Sequence, residues 1–250
     1  MLGLRTPTRR RARDEGEKPF WISFSDLMSA LMVLFLVAMS VALLAVTKKI
    51  SEEEREDKAR VEAIAELMGE IRKVISAEEF EGVQVIGNII DFGPRGLFAY
   101  GQNALSGPQG ELLRSFTPRL LDKLRTTPAG KLWFKRAVVE GYASQSGKYL
   151  FNLNLSLQRS ERVLCELLRE APAGSVQMSD LDRQLIATKF FVGGASFNSL
   201  RATAADSRRI EFKLEFMSRQ ERRDGKLGSA PAIDDGLLNL ALDPKQPCPL

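Results

Sequence analysis

The chain has no histidine among its 250 residues. It therefore lacks the side chain that titrates nearest neutral pH and the one most often used to hold metals. Cysteine is nearly as scarce. Cys165 and Cys248 form no CxxC pair, so their spacing carries neither a redox nor a metal motif. An oxidising compartment permits a disulfide between them, but nothing in the spacing requires one. Excess charge is missing too: 36 Lys and Arg stand against 32 Asp and Glu, a net charge of +4. That balance gives no ground for direct nucleic-acid binding, which draws on dense positive charge. With the commonest general base absent, the expectation is a protein that is not an enzyme and carries no cofactor.

What the chain does have is one long apolar run. From Phe20 to Val46 its only charge is Asp26. As a helix rising about 1.5 Å per residue, this run is long enough to cross a hydrocarbon layer of roughly 30 Å with some tilt. A cleaved signal peptide has an apolar core of only about 7–15 residues, so the run reads as a retained anchor. Arg9-Arg10-Arg11 is separated from it by Asp14, Glu15 and Glu17, which argues against a twin-arginine signal. Six basic residues precede the run (Arg5, Arg9, Arg10, Arg11, Arg13 and Lys18), against Lys48 and Lys49 just after it. This bias predicts a cytoplasmic N-terminus and an exported C-terminal bulk.

The segments are expected to be a basic tail over 1–18, a transmembrane helix over 19–47, a stalk or plug helix over 48–78, a folded domain over 79–218 and a tail over 219–250. Ser51, followed by Glu52, Glu53 and Glu54, reads as an N-cap with acidic residues in the first turn. Glu54–Lys58 and Glu56–Arg60 are spaced as i,i+4 pairs, and Val61, Ile64, Ala65, Leu67, Met68 and Ile71 form a helical apolar stripe. Beyond it, Val83–Phe92 alternates as one strand, Leu112–Leu124 is a helix, and Lys135–Tyr142 is a second strand. Asn152 or a neighbour caps a helix ending near Pro172. Lys189–Gly193 is a short apolar run, and Ile210–Phe216 alternates as a strand. Strand, helix, strand, helix, strand predicts an α/β (βαβαβ) sandwich, a mixed sheet covered by two helices. Cys165, among Val163, Leu164, Leu167 and Leu168, reads as a small core residue. The tail from Arg219, with Pro231, Pro244, Pro247 and Pro249, is expected to be loose or docked on its own domain.

Two parts of the chain resemble known families. Gly141-Tyr142-Ala143-Ser144, then Asn152-x-x-Leu155-Ser156-x-x-Arg159-Ser160, then Ser207-Arg208-Arg209-Ile210-Glu211 resemble the blocks of the OmpA-like peptidoglycan-binding domain. In that family an Asp and an Arg hold the two ends of the diaminopimelate in a stem peptide. The Arg falls on Arg159, but the Asp falls on Ser144 and the family His on Tyr142, which removes one charged contact. The resemblance also brings Tyr149, Asn152 and Leu155 into the candidate site, with the two last as packing and pocket-shaping residues. The second resemblance is Trp21-Ile22-Ser23-Phe24-Ser25-Asp26-Leu27-Met28-Ser29-Ala30, which is similar to the membrane segment of MotB-type stator subunits. Basic tail, one span with a carboxylate, stalk and OmpA-like domain together form that family's layout. Within it, the short stalk and Ser144 look closer to the B component of the Zorya anti-phage system than to flagellar MotB.

The resemblance implies a single-pass bacterial inner-membrane protein with its C-terminal domain in the periplasm. It implies a homodimer inside a ring of five multi-span A-type subunits, with the bilayer and peptidoglycan as its other partners. Asp26 would carry protons, or sodium, with Ser23 and Ser29 lining the ion path three residues to either side. Two readings of Asp26 stand open at this point. As an N-cap it would leave Leu27–Val46 as a helix long enough to span unaided. As an ion carrier it lies inside a helix that begins near Pro19. Arg159 has no acidic residue at i±3 or i±4, so, if buried, it needs an anion from elsewhere. Arg208 and Arg209 read equally well as anion contacts or as a solvated edge.

Overall fold

The computed structural model describes residues 18–227 and 242–248. The chain divides into two compact units, one up to Glu56 and one from Asp57 onward. Helix α1 runs over Lys18–Ile75, and it is the helix long and apolar enough to cross a membrane, with a best 18-residue window of mean hydropathy 2.7. Every side chain from Trp21 to Ile50 is exposed. Asp26 and Ser51 both lie within α1, so neither caps a helix. Between Val46 and Ser51 the sequence Thr47-Lys48-Lys49-Ile50 contains no Gly or Pro to end the helix, which is why the expected break is absent.

In the unit from Asp57, the apolar stripe of α1 is only partly used. Leu67, Met68 and Ile71 are buried in the core, whereas Val61 is exposed. Arg60 donates to the Met217 carbonyl at 2.8 Å and lies over the Trp133 ring, and Lys123 pairs with Glu70 at 3.2 Å. The last turns of the expected stalk are thus part of the domain wall.

The domain continues as β1 (Gln84–Ile86), β2 (Ile89–Asp91), α2 (Gly107–Thr126), α3 (Pro128–Trp133), β3 (Phe134–Gly141), α4 (Tyr149–Leu168), α5 (Asp180–Lys189), β4 (Phe190–Gly194), β5 (Ile210–Phe216) and α6 (Arg219–Leu227). The sheet order is β1-β2-β5-β3-β4; β3 and β4 are parallel and the other pairs antiparallel. The mixed α/β sandwich is as expected, with more elements than the five expected. The strand read over Val83–Phe92 is a hairpin, because Gly87-Asn88 makes a two-residue turn, with Gly87 at φ +58° and Ile86 facing Ile89. A Gly-Asn pair inside an alternating run is a turn signal, and it outweighs the continuous alternation.

The core lies between the sheet and α2, α4, α5 and the end of α1. Phe80, Phe116, Phe92, Phe212 and Phe190 form an edge-to-face chain with centroid spacings of 5.6, 5.6, 4.9 and 5.8 Å. Such pairs add roughly 0.5–1.5 kcal/mol each beyond the area they bury. Arg114 of α2 and Glu166 of α4 form a buried ion pair, and Glu166 also meets Arg169 at 2.7 Å. Cys165 is not a free core thiol. It is bonded to Cys248, and the Glu170 amide donates to the Pro244 carbonyl at 2.7 Å, so residues 242–248 are docked on α4.

Candidate functional site

Helix α4 sits unusually close to the sheet because two glycines face it. A Cβ on Gly141 would lie 1.9 Å from the Ser156 carbonyl oxygen, and one on Gly194 would lie 2.8 Å from Ser156 Oγ. No side chain fits at either point. Ser156 Oγ donates to the Leu153 carbonyl at 2.8 Å and accepts from the Ser196 amide at 3.0 Å. That bond ties α4 to the loop after β4, where Ser196 holds a φ of +52°.

One turn further along α4, Arg159 is fully buried. Its Nε donates to the Gln102 carbonyl at 2.9 Å, Nη1 to that of Tyr142 at 2.6 Å and Nη2 to that of Ala99 at 3.3 Å. The guanidinium lies over the Phe98 ring, 5.0 Å from its centroid. Among the described residues no carboxylate pairs with it. Burial pushes its pKa down to about 10, and the nearby positive charge of Arg208 pushes the same way. It remains cationic at neutral pH.

Arg159 and Arg208 line one cavity of about 90 Å³, together with Ser144, Ser146, Asn152 and Leu155. Tyr100 and Phe151, both exposed, stand at it as well. Asn152 does not cap α4. Lys148 precedes the helix, and Asn152 Nδ2 donates to the Ser146 carbonyl at 2.8 Å, which fixes the wall of the cavity where Gly147 takes φ +99°. Arg208 Nε donates to the Phe98 carbonyl at 3.0 Å and Nη1 to that of Ala204 at 2.9 Å.

Of the residues singled out in the sequence, Ser144, Asn152, Leu155 and Arg159 are brought together here. Tyr142 and Tyr149 are not. The Tyr142 hydroxyl donates to Glu140 Oε2 at 2.7 Å, its ring is covered by the Arg209 guanidinium at 4.0 Å, and burial followed by the Glu140 bond raises its pKa. Only its carbonyl reaches Arg159. Tyr149 packs edge-on against Phe197 and its hydroxyl accepts from Asn198 at 3.2 Å. The two adjacent arginines part company. Arg208 lines the cavity, while Arg209 is buried in a network in which it pairs with Glu211 at 2.7 Å and Arg201 pairs with Asp91 at 2.6 Å and Glu211 at 2.8 Å. That network secures the segment that delivers Arg208. Tyr100, Ser146 and Phe151 escaped sequence reading because they belong to no spaced pattern.

In the other unit, Asp26 and the flanking Ser23 and Ser29 are exposed on α1. Ser29 Oγ donates to the Ser25 carbonyl at 2.7 Å, so its proton is committed to the helix backbone while its lone pairs stay available.

No family model matches the chain. Among solved structures it is similar to the OmpA-like domain of FopA1 from Francisella tularensis subsp. tularensis SCHU S4 (17% identity, 54% of this chain and 82% of that one, TM-score 0.33). It is similar also to the peptidoglycan-associated lipoprotein of Burkholderia pseudomallei (12%, 49% and 88%, TM-score 0.30). A third is the periplasmic domain of MotB (11%, 58% and 72%, TM-score 0.38). Among curated proteins it is 37% identical over 227 residues to the Zorya protein ZorB of Escherichia coli O139:H28 (strain E24377A / ETEC), covering 90% of this chain and 91% of that one. At that identity, over nine-tenths of both chains, the chain belongs to the ZorB family.

Proposed function

We propose that this protein is the wall-anchored B-type subunit of an ion-driven membrane motor acting in Zorya anti-phage defence. The observation that carries the reading is the relation to ZorB over nine-tenths of both sequences. Helix α1 crosses the inner membrane once, with the N-terminus in the cytoplasm and the domain in the periplasm. The disulfide between Cys165 and Cys248 supports that orientation, since such bonds persist in oxidising compartments. Two copies sit within a ring of five multi-span A-type subunits. Asp26, a carboxylate inside an otherwise apolar stretch of helix, takes up and releases protons as they run down their gradient. Neutralising it lets the ring step around the dimer. The domain grips peptidoglycan at the Arg159 cavity, so the dimer stays fixed while the ring turns.

Asp26→Asn tests the motor half. Asn keeps the size and helix position but cannot carry a proton. The variant is expected to insert and to co-purify with the multi-span partner, yet to give no protection against phage. Full protection by Asp26→Asn would remove ion carriage and leave a passive wall anchor. Sedimentation with purified sacculi tests the anchoring half, and a wild-type protein that stays in the supernatant would end it.

A further inference from the structure

Residues 242–248 rest on α4, yet none of them is buried and none belongs to the hydrophobic core. The Glu170 amide ties the segment to α4 through the Pro244 carbonyl. The Gln246 amide instead turns back to the Asp243 carbonyl at 3.1 Å, and the Lys245 amide to Asp243 Oδ1 at 2.9 Å, both inside the segment. Fixing each residue of such a segment costs chain entropy, and exposed or half-exposed side chains offset little of that cost. The bond from Cys248 to Cys165 supplies the tie that these contacts lack.

That bond is also within reach of a reagent. Both cysteines are half-buried. Among the described residues, Cys165 lines a cleft of about 660 Å³ between Leu164, Leu168 and Val192 of the domain and Leu242 and Pro247 of the segment. Exchange of a disulfide requires a thiolate to reach one of its sulfurs, which a sealed core prevents and a cleft wall does not. Val192 belongs to β4, which ends the sheet order, so the segment stands beside a strand edge of the kind that loops commonly cover.

We propose that the Cys165–Cys248 bond is a site of thiol–disulfide exchange, and that a dithiol reductant acting on the folded domain releases residues 242–248 from α4. A thiolate of the reductant bonds to one sulfur, the S–S bond breaks, and its electron pair leaves on the other sulfur, which takes up a proton. The second thiol of the reductant then displaces the first protein sulfur, so the protein gains two electrons and two protons and the reductant becomes a disulfide. Release uncovers Leu164, Leu168 and Val192 beside the edge of β4. The core and the cavity at Arg159 take no residue from the segment and stay in place. The latch therefore changes one face of the domain and leaves the other intact.

The test treats full-length protein in detergent micelles with dithiothreitol in the absence of denaturant. Thiols are counted by the mobility shift on labelling with a maleimide-linked polyethylene glycol, and both cysteines are expected to be labelled. A bond that yields only in urea overturns the proposal. Hydrogen exchange then compares oxidised and reduced protein. The Glu170 amide and the peptide over 242–248 are expected to exchange at least about tenfold faster after reduction, while the amides of β3 and β5 remain protected. Unchanged exchange in the segment would mean that its other contacts hold it, and loss of protection in β3 and β5 would make the bond a staple of the whole fold; either result overturns the latch. Cys248→Ser without reductant is expected to reproduce the exchange of the reduced segment, and a segment as protected as in oxidised wild type would overturn it as well.

Discussion

Arg159 spends its hydrogen bonds on three backbone carbonyls that belong to two separate loops, residues 99–102 and Tyr142. It is a structural bolt whatever it binds, and this changes how the proposed anchoring role can be tested. Arg159→Ala leaves those carbonyls without donors in a buried place, at a cost on the order of 3 kcal/mol. Loss of sacculus sedimentation in that variant is therefore expected to come with a lower urea midpoint. Arg159→Lys is the sharper variant: it keeps the charge, and is expected to retain the fold while losing several-fold in affinity, measured by the same sedimentation. That no acidic residue stands at i±3 or i±4 of this side chain was legible in the sequence. Its bonds to carbonyls far along the chain were not, because backbone acceptors leave no mark in a sequence. Tyr149, which the resemblance brings into the candidate site, instead packs its ring against Phe197.

At the scale of elements, the seat of α4 on the sheet depends on the two glycines beneath Ser156. Gly141→Ala would drive a methyl into the helix backbone, which no rotamer change can relieve. It is expected to destabilise the domain by about 3 kcal/mol. A chemical-denaturation curve shows this as an earlier midpoint with the slope unchanged. Gly110→Ala is a milder contrast, since its neighbour is the far end of the Glu166 side chain. Strands β3 and β5 were legible because their apolar patterns are bounded by clear breakers, whereas β4, with the sequence Phe-Phe-Val-Gly-Gly, showed only as a short apolar run. The hairpin of β1 and β2 was hidden by apolar residues on both sides of Gly87-Asn88, which made two short strands look like one. Helix α5 went unread because its ten residues hold few apolar positions; Ser179 caps it, its hydroxyl accepting from the Asp182 amide at 3.1 Å. The continuity of α1 through Ser51 shows that a good capping sequence does not start a helix where none has ended.

At the scale of the whole chain, the disulfide joins positions 83 residues apart and holds the C-terminal segment on α4. Cys248→Ser is expected to cost about 2–4 kcal/mol, since closing so large a loop restricts the unfolded chain. A urea titration of the full protein, run with and without reductant, checks it. Wild-type protein in reductant should match the variant, and a variant as stable as oxidised wild type would show the bond to be thermodynamically idle. The pairing of the two cysteines was open in the sequence because a single possible bond, far apart in the chain, depends on where the tail lies. The tail in turn carries no periodicity from which that could be read.

The covalent loop from Cys165 to Cys248 contains Arg208, and Arg159 lies six positions before it. In mechanical terms the bond is a fuse that cannot blow. Pulled from its two ends, the chain surrenders no slack from the enclosed stretch, which extended would release on the order of 270–300 Å. A domain loaded in tension between a membrane helix and a rigid polymer can thus lose part of its fold without paying out that length.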